Sequence, residues 1–140
     1  MYKKIILPTD GSEYSTREIL RASKLLSEDG EVIILSVATE LRKTAFHRTK
    51  DIEKLNQESI EEAEEYVQAM KEGFDDSVNV RTEVRVGFPS DEIIKLAEEE
   101  GADLIIIASS GKSGLHRFII GSVAENVLKN SEIDVLLVHD

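Results

Sequence analysis

The chain has 140 residues, enough for one domain with a buried core and too few for two of comparable size. Its 28 acidic residues against 17 basic ones give a net charge of −11, a field that repels nucleic acid and anionic membrane, so neither is an expected partner. The absence of cysteine excludes disulfides, thiolate chemistry and cysteine-ligated metal.

No apolar run nears the roughly 20 residues that span a bilayer. The N-terminal run Ile5 to Leu7 is far shorter than a secretory signal, and the expected location is the cytoplasm. Aromatic residues are only 5% and tryptophan is absent, so the core must be aliphatic.

Apolar strands and amphipathic helices alternate along the chain. Lys4 to Leu7 reads as a first strand; Pro8 then stops ladder donation, and Thr9-Asp10-Gly11-Ser12 reads as a loop. A helix follows to about Leu26, with Ile19, Ala22, Leu25 and Leu26 at core spacing. Asp29-Gly30 reads as a turn, and Val32 to Val37 as a strand apolar on both faces. Thr39 to Lys50 is a polar connection carrying Arg42, Lys43 and Arg48. A long acidic helix is predicted from about Asp51 to Gly73, and Ile60, Ala63, Val67, Met70 and Phe74 make its single core stripe.

Val78 to Val86 reads as a third strand. Gly87-Phe88-Pro89 turns into a helix with Pro89 in its first turn and Gly101 at its end. Leu104 to Ala108 is a fourth strand. Ser122, with Glu125 three residues on, has the pattern of a capping box opening a last helix, and Val135 to Val138 is a fifth strand. Ile- and Val-rich strands alternating with helices predict an α/β fold over residues 1–140. The architecture read from them is a single doubly wound, five-stranded parallel sheet, Rossmann-like, in strand order 3-2-1-4-5. Such folds bind ligands beyond the carboxyl ends of the strands, where strand order reverses.

The segment Ile105 to Ser122 offers the chain's most open chemistry. A buried strand empties into a loop rich in glycine, and Gly121-Ser122-Val123 begins a helix, whose unpaired N–H groups and dipole favour an anion. Leu104 to Ala124 holds no acidic residue, where even scatter would place about four, and it carries Lys112, His116 and Arg117. A buried strand explains part of that gap but not the basic residues. Gly111-Lys112-Ser113 is no Walker A motif. The glycine required five residues before its Gly-Lys pair is Ile106, and Gly114 interrupts the helix start. Lys112 is read as an exposed lysine or a phosphate contact.

Asp10 has two readings, a helix cap with Glu13 three residues on, or a ligand residue. His47, His116 and His139 lack metal-ligand spacing, and no G-x-S-x-G elbow occurs. A phospho-receiver domain of similar topology would need an acidic cluster at the strand ends, and Asp10 alone is too little.

Three segments together resemble the universal stress protein family over nearly the whole chain: KIILPTDGSEYS, VRVGFPSDEIIKLAEEEGADLIIIAS and GSVAENVLKNSEIDVLLV. The ATP-binding branch of that family carries Gly, two residues, Gly, nine residues, then Gly-Ser or Gly-Thr. Gly111 and Gly121-Ser122 match that pattern, whereas Ala108 stands at the first glycine. Its methyl group could crowd the phosphate side or forbid a positive φ. The resemblance implies that Asp10 and the backbone of Val37 face adenosine, and that Pro8 and Thr9 wall the pocket. It further implies that Ala108, Gly111, Gly121, Ser122 and Val123 hold the phosphates of ATP.

Mg²⁺ or Mn²⁺ would come with the nucleotide, and no metal ligand is assigned to the protein. The resemblance also implies a cytoplasmic homodimer paired through Val135 to Val138, where Asp134 replaces the family's usual preceding proline. The expected function is a nucleotide sensor with little or slow hydrolysis, since no general base is evident. The alternative, favoured by Ala108, is a dimeric stress protein that binds no nucleotide and acts through protein contacts.

Overall fold

The computed structural model describes residues 1–12, 15–40, 49–109 and 120–139. In chain order its elements are β1 (Tyr2–Pro8), α1 (Ser15–Leu25), β2 (Leu26–Ala38), α2 (Thr49–Glu72), β3 (Val80–Val86), α3 (Pro89–Glu100), β4 (Leu104–Ala108), α4 (Ser122–Asn130) and β5 (Asp134–Val138). The strands form one parallel sheet in the order β3-β2-β1-β4-β5, as expected.

Period-two alternation sorts the buried side chains onto two faces. Ile5, Leu7, Ile34 and Ile106 meet Ala22 of α1 and Val67 and Met70 of α2. Ile6, Ile33, Leu35, Ile105 and Ile107 meet Ile93 and Leu96 of α3 and Ala124 and Val127 of α4. Both faces are thus covered, which is why these strands read as continuous apolar runs. The stripe expected on α2 is buried at Ala63, Val67, Met70 and Phe74, while Ile60 is half-buried.

Two local expectations are corrected. Asp29-Gly30 is not a turn between elements, because β2 runs unbroken from Leu26. Pairing with β1 shifts register there, from Tyr2 opposite Leu26 to Lys4 opposite Glu31. Gly30 is buried at this irregularity, and a Cβ on it would lie 2.9 Å from the Lys3 carbonyl oxygen. The backbones approach too closely there for a side chain. Ser122 does not cap α4; Gly121 is its N-cap, with no side-chain cap hydrogen bond. The cap reading of Asp10 depends on Glu13, which lies outside the described residues.

The chain winds from β1 outward to β3, then returns to the other side of β1 as β4. The switch point therefore lies between β1 and β4, at their carboxyl ends.

Candidate functional site

At the end of β1, the Thr9 N–H donates to the Leu35 carbonyl at 2.8 Å and fixes the exit of the chain against β2. The next turn is built by side chains on backbone. The Gly11 N–H donates to Thr9 Oγ1 at 3.2 Å, and the Ser12 N–H donates to Asp10 Oδ1 at 3.0 Å. Such Asx-type turns are a local alternative to helix at Thr9 to Ser12. Gly11 has φ +83°, and a Cβ there would lie 2.5 Å from Tyr66 Cε1, so the ring of α2 packs directly on the loop backbone.

Beside this loop, the Ser109 N–H donates to the Val138 carbonyl at 2.8 Å, continuing the β4–β5 ladder one residue past Ala108. The Ser109 carbonyl accepts the Gly121 N–H at 2.6 Å. That bond draws the start of α4 to the end of β4. The Gly121 carbonyl accepts the Glu125 N–H at 2.9 Å and begins the helical ladder. The N–H groups of Ser122, Val123 and Ala124 take no partner among the described residues, which leaves an anion-favouring helix start open. The Ser109 hydroxyl is also buried and unpartnered.

Val37 is half-buried at the end of β2, opposite Arg85 of β3, and the next residue's carbonyl, on Ala38, accepts the Gly87 N–H at 3.0 Å. The arginines of β3 are engaged by carboxylates. Arg81 pairs with Glu100 and Glu31, and Arg85 pairs with Glu83 at 2.5 Å and Glu99 at 2.6 Å.

Pro8, Thr9, Asp10, Val37, Ala108, Gly121, Ser122 and Val123 thus lie at the carboxyl end of the sheet or at the helix start drawn to it. Gly111, together with Lys112, His116 and Arg117, lies outside the described residues. Ala108 ends β4 opposite Val138, and no non-glycine residue among those described has a positive φ. Its methyl group therefore sits on ordinary strand backbone.

One residue of this region escaped the sequence reasoning. Glu18, in the first turn of α1, is 2% exposed, and its Oε2 has no hydrogen-bond partner. Burial pushes its carboxyl up to about 8, and the negative charge of Asp10 adds to the effect. The signal was present: Glu18, Ala22 and Leu25 follow helical spacing, which puts an acid on the core stripe.

Among the described residues, no group of three or more His, Asp or Glu could hold a metal ion, and no helix is long and apolar enough to cross a membrane.

Comparison with known proteins matches residues 1–139 to the family model of the universal stress protein family. Universal stress protein MJ0531 of Methanocaldococcus jannaschii is 38% identical, over 99% of this chain and 82% of that protein. The solved structure of MJ0577 from the same organism superposes with a TM-score of 0.79 at 37% identity, covering 99% of this chain and 96% of that one. A universal stress protein solved in complex with cAMP superposes with a TM-score of 0.61 at 27% identity, covering 99% and 97% of the two chains.

Proposed function

The chain belongs to the universal stress protein family, and we propose that it binds ATP with a divalent cation as a nucleotide sensor of the cytoplasm. The observation that carries this reading is the bond from Gly121 to Ser109, which sets an open helix start beside the strand-end crevice. Free N–H groups at Ser122 and Val123 suit phosphate oxygens, and the buried, unpartnered Ser109 hydroxyl suits another. Asp10, whose Oδ1 accepts the Ser12 N–H, is the residue that in this reading accepts from a ribose hydroxyl. In this reading Pro8 and Thr9 wall that side, with the Val37 backbone across β2, and the family's pattern gives Gly111 a phosphate-holding role. A relative in complex with cAMP supports an adenine nucleotide as the ligand class.

A net charge of −11 opposes a bare tetra-anionic nucleotide. Mg²⁺ or Mn²⁺ would neutralise part of that charge, carried by the phosphates rather than by protein side chains. Hydrolysis is slow or absent in this reading, since the sequence pattern offers no evident general base. Turnover near 10 per second, ordinary for enzymes, would overturn it.

Calorimetric titration with Mg-ATP, and identification of any small molecule released by heat from fresh protein, test the reading. A binding signal or a released adenine nucleotide supports it; neither would favour the alternative, a protein that acts through contacts alone. Ala108 in place of glycine is the observation behind that alternative. In both readings the chain pairs with a second copy through β5, an outer strand of the sheet and so a ready template for pairing. Sedimentation equilibrium tests this, and a monomer at micromolar concentration would exclude it.

A further inference from the structure

Glu18 stands where the fold calls for an apolar side chain. The next residue on its stripe, Ala22, is fully buried among Ile5, Leu104 and Ile106. An ionised carboxylate there, with Oε2 unpartnered, is strongly disfavoured, so the group is held as the neutral acid.

Among the described residues, the elements packed on it bring little charge. α1 packs on β1, β4 and β2. The end of β1 contributes Asp10; β4 contributes only the apolar run Leu104 to Ala108; the buried half of β2 contributes the Ser36 hydroxyl. Tyr66 of α2 lies against Gly11, one residue from Asp10. The neighbouring cations on α1 turn elsewhere: Arg17 donates to the His139 carbonyl at 2.9 Å and Arg21 to the Arg17 carbonyl at 3.2 Å. Among the described residues no cation pairs with Glu18.

We propose that Glu18 is a proton-holding residue of the nucleotide crevice, so that a polyanionic nucleotide binds with this proton retained and loses affinity when it leaves. The inference rests on the nucleotide reading above and adds a control on the same site. Uncharged, Glu18 leaves Asp10 as the carboxylate at that end of β1 among the described residues. A bound polyphosphate brings more negative charge to the crevice and makes ionisation of Glu18 harder still. Coupling between sites is reciprocal, so ionisation of Glu18 must weaken the nucleotide by the same factor. Partly screened like charges in one crevice set that factor on the order of tenfold.

The experiment is Mg-ATP titration of the full chain from pH 6.5 to 9.5. Heats measured at pH 8 in two buffers of different ionisation enthalpy then count the protons exchanged. The expected result is proton uptake on binding at pH 8 and about tenfold weaker affinity at pH 9.5 than at pH 7. Glu18→Gln, a neutral isostere of the acid, should bind with no uptake and a flat profile. Binding by the unsubstituted chain that is flat with pH and takes up no proton overturns the inference and leaves the nucleotide reading standing. The same loss in Glu18→Gln assigns the proton to another group and also overturns it. No binding at any pH overturns both.

Discussion

Gly121 donates its backbone N–H to the Ser109 carbonyl at 2.6 Å, and this bond joins the last helix to the end of the fourth strand. The Gly121 N–H is thereby spent inside the protein, and the donors left for an anion are those of Ser122, Val123 and Ala124. Gly121 itself acts by being small. It is buried and extended, at φ −67° and ψ 158°, a backbone that any residue can adopt. Gly121→Val should therefore keep the fold while obstructing the approach to the helix start. The expected outcome is a circular dichroism spectrum like that of the unsubstituted chain and an Mg-ATP affinity at least tenfold weaker, a loss of about 1.4 kcal/mol or more. Unchanged affinity would move the phosphates elsewhere.

Ala108→Gly restores the residue that the family's ATP-binding pattern carries at this place. Because Ala108 sits on strand backbone paired with Val138, no positive φ is being denied to it. Restoring glycine should therefore leave Mg-ATP affinity within about threefold while costing roughly 0.5–1 kcal/mol of stability from a flexible residue in a strand. Parallel calorimetry and thermal melts check both halves. A large gain in affinity would show that the methyl group itself crowds the phosphate.

The central strands were legible because Ile5–Leu7, Val32–Leu35 and Leu104–Ile107 are aliphatic runs of the kind a sheet covered on both faces produces, whereas β3 was legible from its alternation of Val with Arg, Thr and Glu. The helix stripes were legible from spacing alone, as at Ala63, Val67, Met70 and Phe74. The misreadings share one physical origin. Asp29-Gly30 and Ser122 with Glu125 both carry strong local turn or cap signals that non-local pairing overrides. Lys3 and Glu31 draw Gly30 into the sheet, and Ser109 takes hold of Gly121. The position of the crevice at the carboxyl ends of β1 and β4 was legible because the strand ends and the topology announce it. Glu18 was missed although its helical spacing with Ala22 and Leu25 carried the signal, because the depth of its burial depends on how α1 lies across β1 and β4.

Gly11→Ala should be the costly substitution of the first loop. Its φ of +83° disfavours any side chain, and the added Cβ would meet the Tyr66 ring at 2.5 Å. Strain of this kind costs on the order of 1–3 kcal/mol. Chemical denaturation should show a loss of that size, and Gly11→Ala combined with Tyr66→Ala should cost less than the two single losses added. Strict additivity would mean that the ring does not press on the loop.

The buried acid makes stability depend on pH with a definite sign. In the unfolded chain Glu18 titrates near the ordinary carboxyl value of 4.5, and in the folded chain near 8. Between those values the folded state holds a proton that the unfolded state has released, so unfolding releases it, and raising the pH favours unfolding. The contribution from Glu18 is fully present below about pH 4.5, declines through neutrality and is lost once the pH passes about 8. A shift of this size corresponds to a few kcal/mol, on the order of 3–5. Urea denaturation at pH 5.5, 7 and 8.5 should give falling stability for the unsubstituted chain. Glu18→Gln should remove most of that slope, because the amide has no proton to lose. A slope that survives the substitution unchanged would place the titrating group elsewhere in the fold.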